Sequence, residues 1–325
     1  MKLAVLMDPL HRIKAYKDST VAMINSAKAL GWTCVMFTQE DLFCIEGRPL
    51  ARVYDIDIGD QHGPDWAKAT DLGEKPLSDF DIVLMRKDPP FDMEYIYTTY
   101  ALELAEQQGV LIANKPQSLR DANEKFFTLN FPQCCPATLV SRDINRLRSF
   151  WQKHQNTIFK PLEGMGGNSV FHVDEQGKNL SVILEVLTRG QTVSIMAQRY
   201  IPEIATLGDK RILLINGDPV PFALARIPAQ GELRGNLAAG AMGKVVPITE
   251  RDKWICEQIG PTLKAKGLYF VGIDVIGDYL TEINVTSPTC LREISSETGL
   301  DISGEYLKCL EKEATLLKKQ QLGLN

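Results

Sequence analysis

Polar side chains that interrupt two apolar stretches within the segment 270–285 constrain this chain's fold more than any other feature. The two stretches predict a β-hairpin. Glu282 and Asn284 lie two residues apart on its second strand and therefore point to one face of the sheet. Asp274, on the first strand, faces Glu282 if the connecting loop has three residues, 277–279. A two-residue turn puts Asp274 on the opposite face, so the interpretation depends on this loop.

Two carboxylates and an amide on one face of apolar strands need a cation nearby, because a buried charge without a partner is costly. Their hard oxygen atoms suit Mg²⁺, which keeps further positions for water and phosphate. An antiparallel sheet with one solvated face is the alternative. It is disfavoured because aliphatic side chains already fill the other face, namely Ile273, Val275, Ile283 and Val285. The segment therefore predicts a magnesium site formed by these three polar side chains.

A glycine-rich stretch between two further predicted strands is the second informative feature. Gly164, Gly166 and Gly167 let backbone amides approach an anion closely. Lys160 lies just before them at a strand end, where its ammonium group can reach phosphate oxygens, and Lys125 is a second candidate cation. A Rossmann loop would lead into a helix, and the P-loop pattern GxxxxGK[ST] does not occur. An ordinary glycine hairpin is the alternative to phosphate binding.

Arginines at predicted strand ends are candidates for binding carboxylate or phosphoryl groups, because a guanidinium group donates hydrogen bonds as a planar fork. Arg86, Arg211 and Arg226 have this placement, although each alone is more often a surface residue. The stretch 227–243 is rich in glycine and alanine and has little to bury. A loop of this length in a compact enzyme is often a lid, and Arg234 within it is placed to close over reacting groups.

The order of strands and helices predicts an α/β fold in three regions. A hairpin is expected over 42–58 with its turn at Glu46-Gly47, and a helix is expected over 123–129. The three regions are an N-terminal Rossmann-like parallel-sheet domain (1–121), a small α+β lid domain (122–199) and a C-terminal mixed α/β domain (200–325).

The segment that joins the last two regions is a candidate adenine site. Gln198, Tyr200 and Ile201 follow an apolar strand at the predicted domain boundary. A linker there offers backbone donors and acceptors to a purine ring.

Composition excludes several classes of partner. The 325 residues carry a formal net charge of −5, which gives no electrostatic reason to bind nucleic acid or an anionic membrane. No apolar run approaches the roughly 20 residues that a membrane helix needs, and the short apolar start, which ends at Asp8, predicts a strand rather than a signal peptide. The seven cysteines are odd in number and form no CxxC pair, as expected for free thiols in a reducing cytosol.

A phosphate-binding lysine with a glycine hairpin, a hinge and an Asp…Glu-x-Asn strand recur in this order in ATP-grasp ligases. Longer strings resemble prokaryotic glutathione synthetases over nearly the whole chain. Glu163 departs from the aspartate common there, and the connection 205–208 is about one residue longer. The strings are Met7-Asp8-Pro9, 85–92 (MRKDPPFD), 114–121 (NKPQSLRD), Asn123-Glu124-Lys125, 160–167 (KPLEGMGG), 234–240 (RGNLAAG) and 282–289 (EINVTSPT).

The resemblance implies the family's reaction, which joins the cysteinyl carboxylate of γ-glutamylcysteine to glycine through an acyl phosphate and yields glutathione, ADP and phosphate. It implies ATP and two Mg²⁺ ions, with Mn²⁺ as an alternative metal. It also implies a cytoplasmic enzyme and a homo-oligomer, a tetramer. Cys290, beside the implied substrate turn, is not required as a nucleophile.

The resemblance also implies residue roles. Lys125 and Lys160 would bind phosphates beneath the loop that contains Gly164, Gly166 and Gly167. The remaining roles are Gln198, Tyr200 and Ile201 on adenine, Asp209 on ribose, Asp274, Glu282 and Asn284 on the metal, Arg211, Arg226 and Arg234 in catalysis, and Arg86, Ser287, Pro288 and Thr289 on the substrates.

Three alternatives remain open at this point. An ATP-grasp ligase for another acid and amine would use the same chemistry. A regulatory protein that binds ATP without catalysis is disfavoured by the intact trio of metal ligands. A kinase on the same fold would accumulate a phosphorylated product without an amine acceptor.

Overall fold

The chain folds around three β-sheets in a computed structural model that describes residues 1–164, 167–229, 235 and 240–323. The N-terminal sheet has the order β3-β4-β2-β1-β6-β7, with β5 paired to β4. Its strands are β1 (Lys2–Leu6), β2 (Thr33–Phe37), β3 (Leu42–Ile45), β4 (Arg48–Ile58), β5 (Ala67–Pro76), β6 (Ile82–Met85) and β7 (Leu111–Ala113). Its helices are α1 (Ser19–Ala29), α2 (Met93–Gln107) and α3 (Pro116–Asp121).

The predicted parallel sheet is confirmed for its centre, and antiparallel strands that include the predicted hairpin extend it on one side. β2, β1, β6 and β7 run parallel, and the last two are buried throughout because helices cover both faces. β3, β4 and β5 add an antiparallel extension, of which β5 was not predicted. The hairpin over 42–58 is confirmed: Ile45 pairs with Arg48 across Glu46-Gly47, whose φ values of 50° and 77° are those of a tight two-residue turn.

The second sheet is antiparallel, with the order β10-β9-β11-β8, and has a core of its own. Phe159, Leu184 and Ile195 are fully buried in this core, which supports the predicted small α+β unit. The elements are β8 (Thr138–Ser141), β9 (Thr157–Pro161), β10 (Phe171–Val173), β11 (Ile195–Arg199), α4 (Ile144–His154) and α5 (Leu180–Thr188).

The third sheet is antiparallel, with the order β14-β13-β12-β15-β16. Its strands are β12 (Asp209–Ile215), β13 (Asp218–Ile227), β14 (Met242–Pro247), β15 (Phe270–Ile276) and β16 (Tyr279–Asn284). The helices of this part are α6 (Ile204–Leu207), α7 (Glu250–Ala265), α8 (Leu291–Thr298) and α9 (Ile302–Gln321).

Short 3-10 helices complete the described elements and correct one prediction. The expected helix over 123–129 is instead a 3-10 helix at Phe126–Asn130, preceded by α3. α3 itself was not expected. It begins at Pro116, whose fixed φ suits the first position of a helix. The other 3-10 helices are Leu10–Arg12, Ala15–Lys17, Gln39–Asp41, Leu77–Asp79 and Pro132–Cys134.

The N-terminal and C-terminal sheets share their hydrophobic cores, whereas the second sheet does not join them. One core contains Leu6 of β1 together with Ile273 of β15, and the other contains Val5 together with Phe270. The three sheets fall within the three predicted regions, and the domain boundaries themselves stay a prediction. Over the residues described, no helix has the length and apolar character needed to cross a membrane.

Candidate functional site

The β15–β16 hairpin brings its polar side chains together by a different route from the one predicted. Ile276 pairs with Tyr279, so the turn has two residues and the expected three-residue loop is wrong. A β-bulge at Thr281 then inserts one extra residue, and Asp274 pairs with Glu282 after all. Thr281 stabilises the bulge, since its hydroxyl donates to the Asp274 carbonyl at 3.0 Å. The face is therefore the predicted one because two departures cancel.

Asp274 is buried between two arginines of the neighbouring strands. Arg211 of β12 donates to both of its carboxylate oxygens, at 2.6 and 3.0 Å, and Arg226 of β13 lies 3.0 Å from one of them. Burial raises the pKa of Asp274, but the two guanidinium groups outweigh it and hold the pKa well below its usual range. Asp274 is thus a carboxylate, and it fixes the orientation of both predicted catalytic arginines.

Asp209 extends this network at the start of β12. One of its carboxylate oxygens accepts a hydrogen bond of 2.6 Å from Arg226. The other, Oδ1, is buried and has no partner within the described part of the chain. Burial raises the pKa of Asp209 to about 7, even though Arg226 lowers it. A buried acceptor without a donor is expected where a ligand completes the hydrogen bonding.

Glu282 lies between the two lysines predicted to bind phosphate. Its carboxylate is 3.7 Å from Lys160 Nζ and 3.8 Å from Lys125 Nζ, which is beyond hydrogen-bond distance. Lys125 also donates to the Gly164 carbonyl at 3.0 Å and is paired with Glu124. Both lysines are about 95% buried, at 4% and 5% exposure, so two ammonium groups are held at the floor of the site.

The net pKa shifts of the two lysines have opposite directions. Burial lowers the pKa of Lys160, because the ammonium group loses water and gains no close carboxylate. It also lowers the pKa of Lys125, but the carboxylates of Glu282 and Glu124 outweigh it and raise the pKa. An anion entering the site would restore the missing partner of Lys160.

A cavity beside these charges joins the second and third sheets. It opens to solvent and is lined by residues of both sheets. Its charged lining includes Lys125, Lys160, Asp209, Asp274 and Glu282. Its apolar lining includes Ile158, Val170, Tyr200, Ile201, Ile204 and Ile276, and Gln198 also lines it. A lining of both kinds suits a nucleotide, which has a flat apolar base and charged phosphates.

The donor set fits a divalent metal. Glu282 makes only long contacts, and the Asn284 amide nitrogen donates to Asp274 at 3.3 Å, which leaves the amide oxygen out of that contact. No cluster of three or more His, Cys, Asp or Glu capable of holding a metal occurs in the part of the chain that the structure describes. Few protein oxygens are typical of Mg²⁺, which takes its other ligands from water and phosphate.

The predicted substrate residues lie together at the edge of the N-terminal sheet. Arg86 donates to the Pro288 carbonyl at 3.0 Å, and the Ser287 hydroxyl donates to the Arg86 carbonyl at 3.3 Å. Gly272 of β15 separates this turn from the arginine network, since a Cβ there would lie 2.9 Å from Arg211 and 3.0 Å from Pro288. The turn thus packs against β15, the strand that carries Asp274.

The thiol of Cys290 follows the predicted substrate residue Thr289, whose hydroxyl lies 3.7 Å from the sulfur. Burial raises the pKa of Cys290, although Arg211 and Arg226 lower it. A buried, protonated thiol is a poor nucleophile, so the structure agrees with the expectation that no covalent step uses it.

Two predicted site residues, Gly166 and Arg234, lie outside the described residues. Gly235 is described and buried, and a Cβ there would lie 2.7 Å from the Asp209 Cβ, so this position requires glycine. Sequence reasoning missed Glu124 and Thr281. A carboxylate beside Lys125 was visible in the sequence, whereas nothing in the sequence marked the bulge.

Comparison with known proteins connects this geometry to a family. The family model described as "Prokaryotic glutathione synthetase, N-terminal domain" matches residues 1–120, and "Prokaryotic glutathione synthetase, ATP-grasp domain" matches residues 124–299. A glutathione synthetase of Pseudomonas aeruginosa is 54% identical over 310 residues, covering 95% of this chain and 97% of its own. One of Escherichia coli K12 is 51% identical over 311 residues, covering 96% and 98%.

Solved structures that resemble this chain show the same fold at low identity. D-cycloserine synthetase DcsG has a TM-score of 0.69 at 12% identity and covers 97% of this chain and 100% of its own. The ATP-grasp ligase PsnB, in complex with a precursor peptide and AMPPNP, has a TM-score of 0.61 at 16% identity, covering 97% and 98%. These likenesses establish the ATP-grasp fold.

Proposed function

The chain belongs to the prokaryotic glutathione synthetase family, and from this premise we propose how its residues serve the ATP-dependent ligation that forms glutathione. The substrates are γ-glutamylcysteine, glycine and ATP. One observation carries the proposal: Asp274, Glu282 and Asn284 share one face of the β15–β16 hairpin, and Glu282 lies beside two buried lysines in the cavity between the second and third sheets.

The nucleotide lies along this cavity. Adenine packs against the apolar lining, at Tyr200 and Ile201, with Gln198 beside it. The ribose donates a hydroxyl hydrogen bond to the unpaired Oδ1 of Asp209. The phosphates reach Lys125 and Lys160, and the glycine loop from Gly164 covers them, because glycine amides can turn toward an anion.

We propose that Asp274, Glu282 and Asn284 would hold two Mg²⁺ ions and that Mn²⁺ can replace Mg²⁺. When bound, the metal neutralises charge on the phosphates. The protein side chains have a separate role. Lys125 and Lys160 keep the phosphates in place, and Glu282 offers its carboxylate because no described arginine pairs with it.

The dipeptide's cysteinyl carboxylate attacks the γ-phosphorus, ADP leaves, and an acyl phosphate forms. The glycine amine then attacks the acyl carbon, a C–N bond forms, and phosphate leaves as the amine loses a proton. Arg211 and Arg226 stabilise the negative charge on the transferring groups, since Asp274 fixes both in position before the reaction. Arg86, Ser287, Pro288 and Thr289 orient the substrates.

We further propose a cytoplasmic location and a homo-tetramer. All seven cysteines are free, which suits a reducing compartment. Four of them are buried, namely Cys34, Cys134, Cys256 and Cys290. The tetramer rests on family resemblance alone, and light scattering of the purified enzyme tests it.

Substitution of the metal ligands tests the proposal. We expect Glu282→Ala and Asn284→Ala each to lower Mg-dependent tripeptide formation roughly 100-fold, because transition-state charge loses its support. Tripeptide and ADP are measured at saturating γ-glutamylcysteine and glycine. Both side chains are partly exposed, so the unfolding midpoint should change little.

Glu311→Ala, an exposed position on α9, is the matched control and should keep full activity. Near-normal turnover in both metal-site variants would refute the metal assignment. If the unmodified enzyme instead accumulates a phosphorylated product in the absence of any amine, the kinase alternative is favoured.

A further inference from the structure

A histidine and a tyrosine stack on each other beside the apolar lining of the cavity. The centroids of the His172 and Tyr200 rings are 4.2 Å apart, and the two ring planes are inclined by 25°. Tyr200 is among the described residues that line the cavity, and His172 is not. A ligand in the cavity would therefore meet Tyr200, and His172 would act on that ligand through the tyrosine ring.

The strand register places His172 on the cavity side of the second sheet. His172 lies on the edge strand β10 and pairs with Ile158 on β9, and Ile158 pairs in turn with Gln198 on β11. Side chains of directly paired residues point to the same face of a sheet. Ile158 and Gln198 both line the cavity. The imidazole thus belongs to a cross-strand row that faces the proposed adenine position.

Asn156, just before β9, contacts both members of this pair. Its side-chain oxygen accepts a hydrogen bond of 3.2 Å from His172 Nε2, and its backbone carbonyl accepts one of 2.9 Å from the Tyr200 amide. An amide oxygen only accepts, so Nε2 of the imidazole carries a proton. The two hydrogen bonds and the ring stacking form a closed triangle of contacts, in which each residue restrains the other two.

Tyr200 needs this support because it follows the last residue of β11 and no strand pairing fixes it within the described sheet. The histidine is suited to provide it. Burial lowers the pKa of His172 and outweighs the opposite effect of the Asp174 carboxylate, so the imidazole is neutral near pH 7. A neutral flat ring can be half-buried against a tyrosine without the cost of removing a charge from water.

We propose that His172 is a positioning residue for nucleotide binding, because it fixes the Tyr200 ring against which adenine packs. The inference rests on the proposed function, which places adenine at Tyr200. The phosphates meet Lys125 and Lys160 instead, so His172 contributes to the affinity for the nucleotide and not to the rate of phosphoryl or acyl transfer.

Removal of the imidazole tests the role of His172 in binding. We expect His172→Ala to raise the KM for ATP, and the Kd for ADP measured by calorimetry, by about 5-fold each, because a stacked aromatic pair is lost. The kcat at saturating ATP and the KM values for γ-glutamylcysteine and glycine should change by less than about 2-fold. His172→Phe keeps a flat ring on Tyr200 and should bind ADP within about 2-fold of the unmodified enzyme.

His154→Ala is the matched control, because it removes another half-buried histidine that packs on an aromatic ring in the same part of the chain. The ring centroids of His154 and Phe150, both on α4, are 4.5 Å apart, and neither residue is among the described residues that line the cavity. The control should leave the Kd for ADP unchanged. Thermal unfolding of each variant shows whether the fold is intact.

A double variant separates positioning through Tyr200 from a general effect on the second sheet. In a Tyr200→Ala background, His172→Ala should cause no further loss of ADP affinity, because there is no ring left to hold. Two results would overturn the inference: an unchanged Kd for ADP in His172→Ala, or an equal loss of affinity in both backgrounds. Failure of the proposed function has a different signature, which is an unmodified enzyme that forms no ATP-dependent tripeptide from γ-glutamylcysteine and glycine.

Discussion

Individual buried charges define this site more than any apolar contact does. Among the described residues, four carboxylates and four cations lie in one network beside the cavity, and they are Glu124, Asp209, Asp274, Glu282, Lys125, Lys160, Arg211 and Arg226. Taking so many charges out of water costs free energy that their mutual attraction only partly offsets. Their arrangement is better explained by a ligand that carries phosphates and a metal than by stability.

Asp209 gives the clearest prediction at this scale. Its pKa rises from 3.8 to about 7 on folding because burial penalises the carboxylate. Below about pH 4 both states are protonated, and as pH rises to 7 only the unfolded state releases the proton, so the stability that this group contributes is lost. In the unmodified enzyme without nucleotide, this effect lowers Tm as pH rises from 5 to 8. We expect the fall in Tm over that range to be roughly 2–4 °C smaller in Asp209→Asn.

Asp278→Asn is the control, because this carboxylate is exposed in the β15–β16 turn and should leave the pH dependence of Tm unchanged. An Asp209→Asn enzyme whose Tm falls with pH as much as the unmodified enzyme's would contradict the raised pKa.

At the scale of elements, the bulge in β16 decides whether the hairpin makes a site. The two-residue turn alone would pair Asp274 with Thr281 and turn Glu282 to the other face. The extra residue restores the pairing of Asp274 with Glu282. Lys160 also donates to the Thr281 carbonyl at 3.5 Å, so the bulge links the hairpin to β9. Bulges next to active sites commonly redirect a side chain in this way.

The bulge makes a testable contribution through one hydroxyl group. Thr281→Val keeps the side-chain shape but removes the hydrogen bond to the Asp274 carbonyl. We expect a loss of about 1–2 kcal/mol in the free energy of unfolding, measured in urea. The Mg²⁺ concentration for half-maximal turnover should rise several-fold, because Asp274 and Glu282 are held less firmly in register.

Thr281→Ser restores the hydroxyl group and serves as the matched comparison. Its Mg²⁺ dependence should resemble that of the unmodified enzyme. If the valine variant also has unchanged Mg²⁺ dependence, the bulge does not position the metal ligands.

At the scale of the whole molecule, the N-terminal and C-terminal sheets behave as one body that carries the second sheet. Their cores are continuous, whereas the second sheet packs around Leu147, Phe159 and Leu184 separately. The cavity lies where these bodies meet. A unit with its own core can move relative to the rest, which suits a lid that closes over nucleotide.

The Asn114 side chain joins the N-terminal sheet to the C-terminal sheet through three hydrogen bonds. Its amide nitrogen donates to the Phe270 and Val285 carbonyls at 2.8 and 2.7 Å, and its oxygen accepts from the Phe270 amide at 2.9 Å. Asn114→Ala leaves three buried backbone groups unsatisfied. We expect the free energy of unfolding in urea to fall by about 2–4 kcal/mol.

Asn145→Ala, at an exposed position of α4, is the control and should change stability by less than about 0.5 kcal/mol. A loss below about 1 kcal/mol for Asn114→Ala would mean that the shared apolar cores, and not this side chain, join the sheets.

Local signals in the sequence were sufficient for most elements and for several site residues. The turn at Glu46-Gly47 was visible because only a few residues adopt positive φ readily. Lys160 and the polar trio of the hairpin were visible because charge in an apolar strand is unusual. β5 was missed because it is mostly exposed and lacks an apolar pattern.

The sequence alone determined the fold class and, through long matching strings, the family, and it predicted the oxygen ligands of a metal, because these depend on residue type and on spacing along the chain. Only the tertiary structure decided which charges meet. Arg211 and Arg226 reach Asp274 across neighbouring strands, and Arg86 of another sheet donates to the Pro288 carbonyl. Such contacts depend on strand register and sheet order, which a single bulge at Thr281 can shift by one residue and which no local pattern specifies.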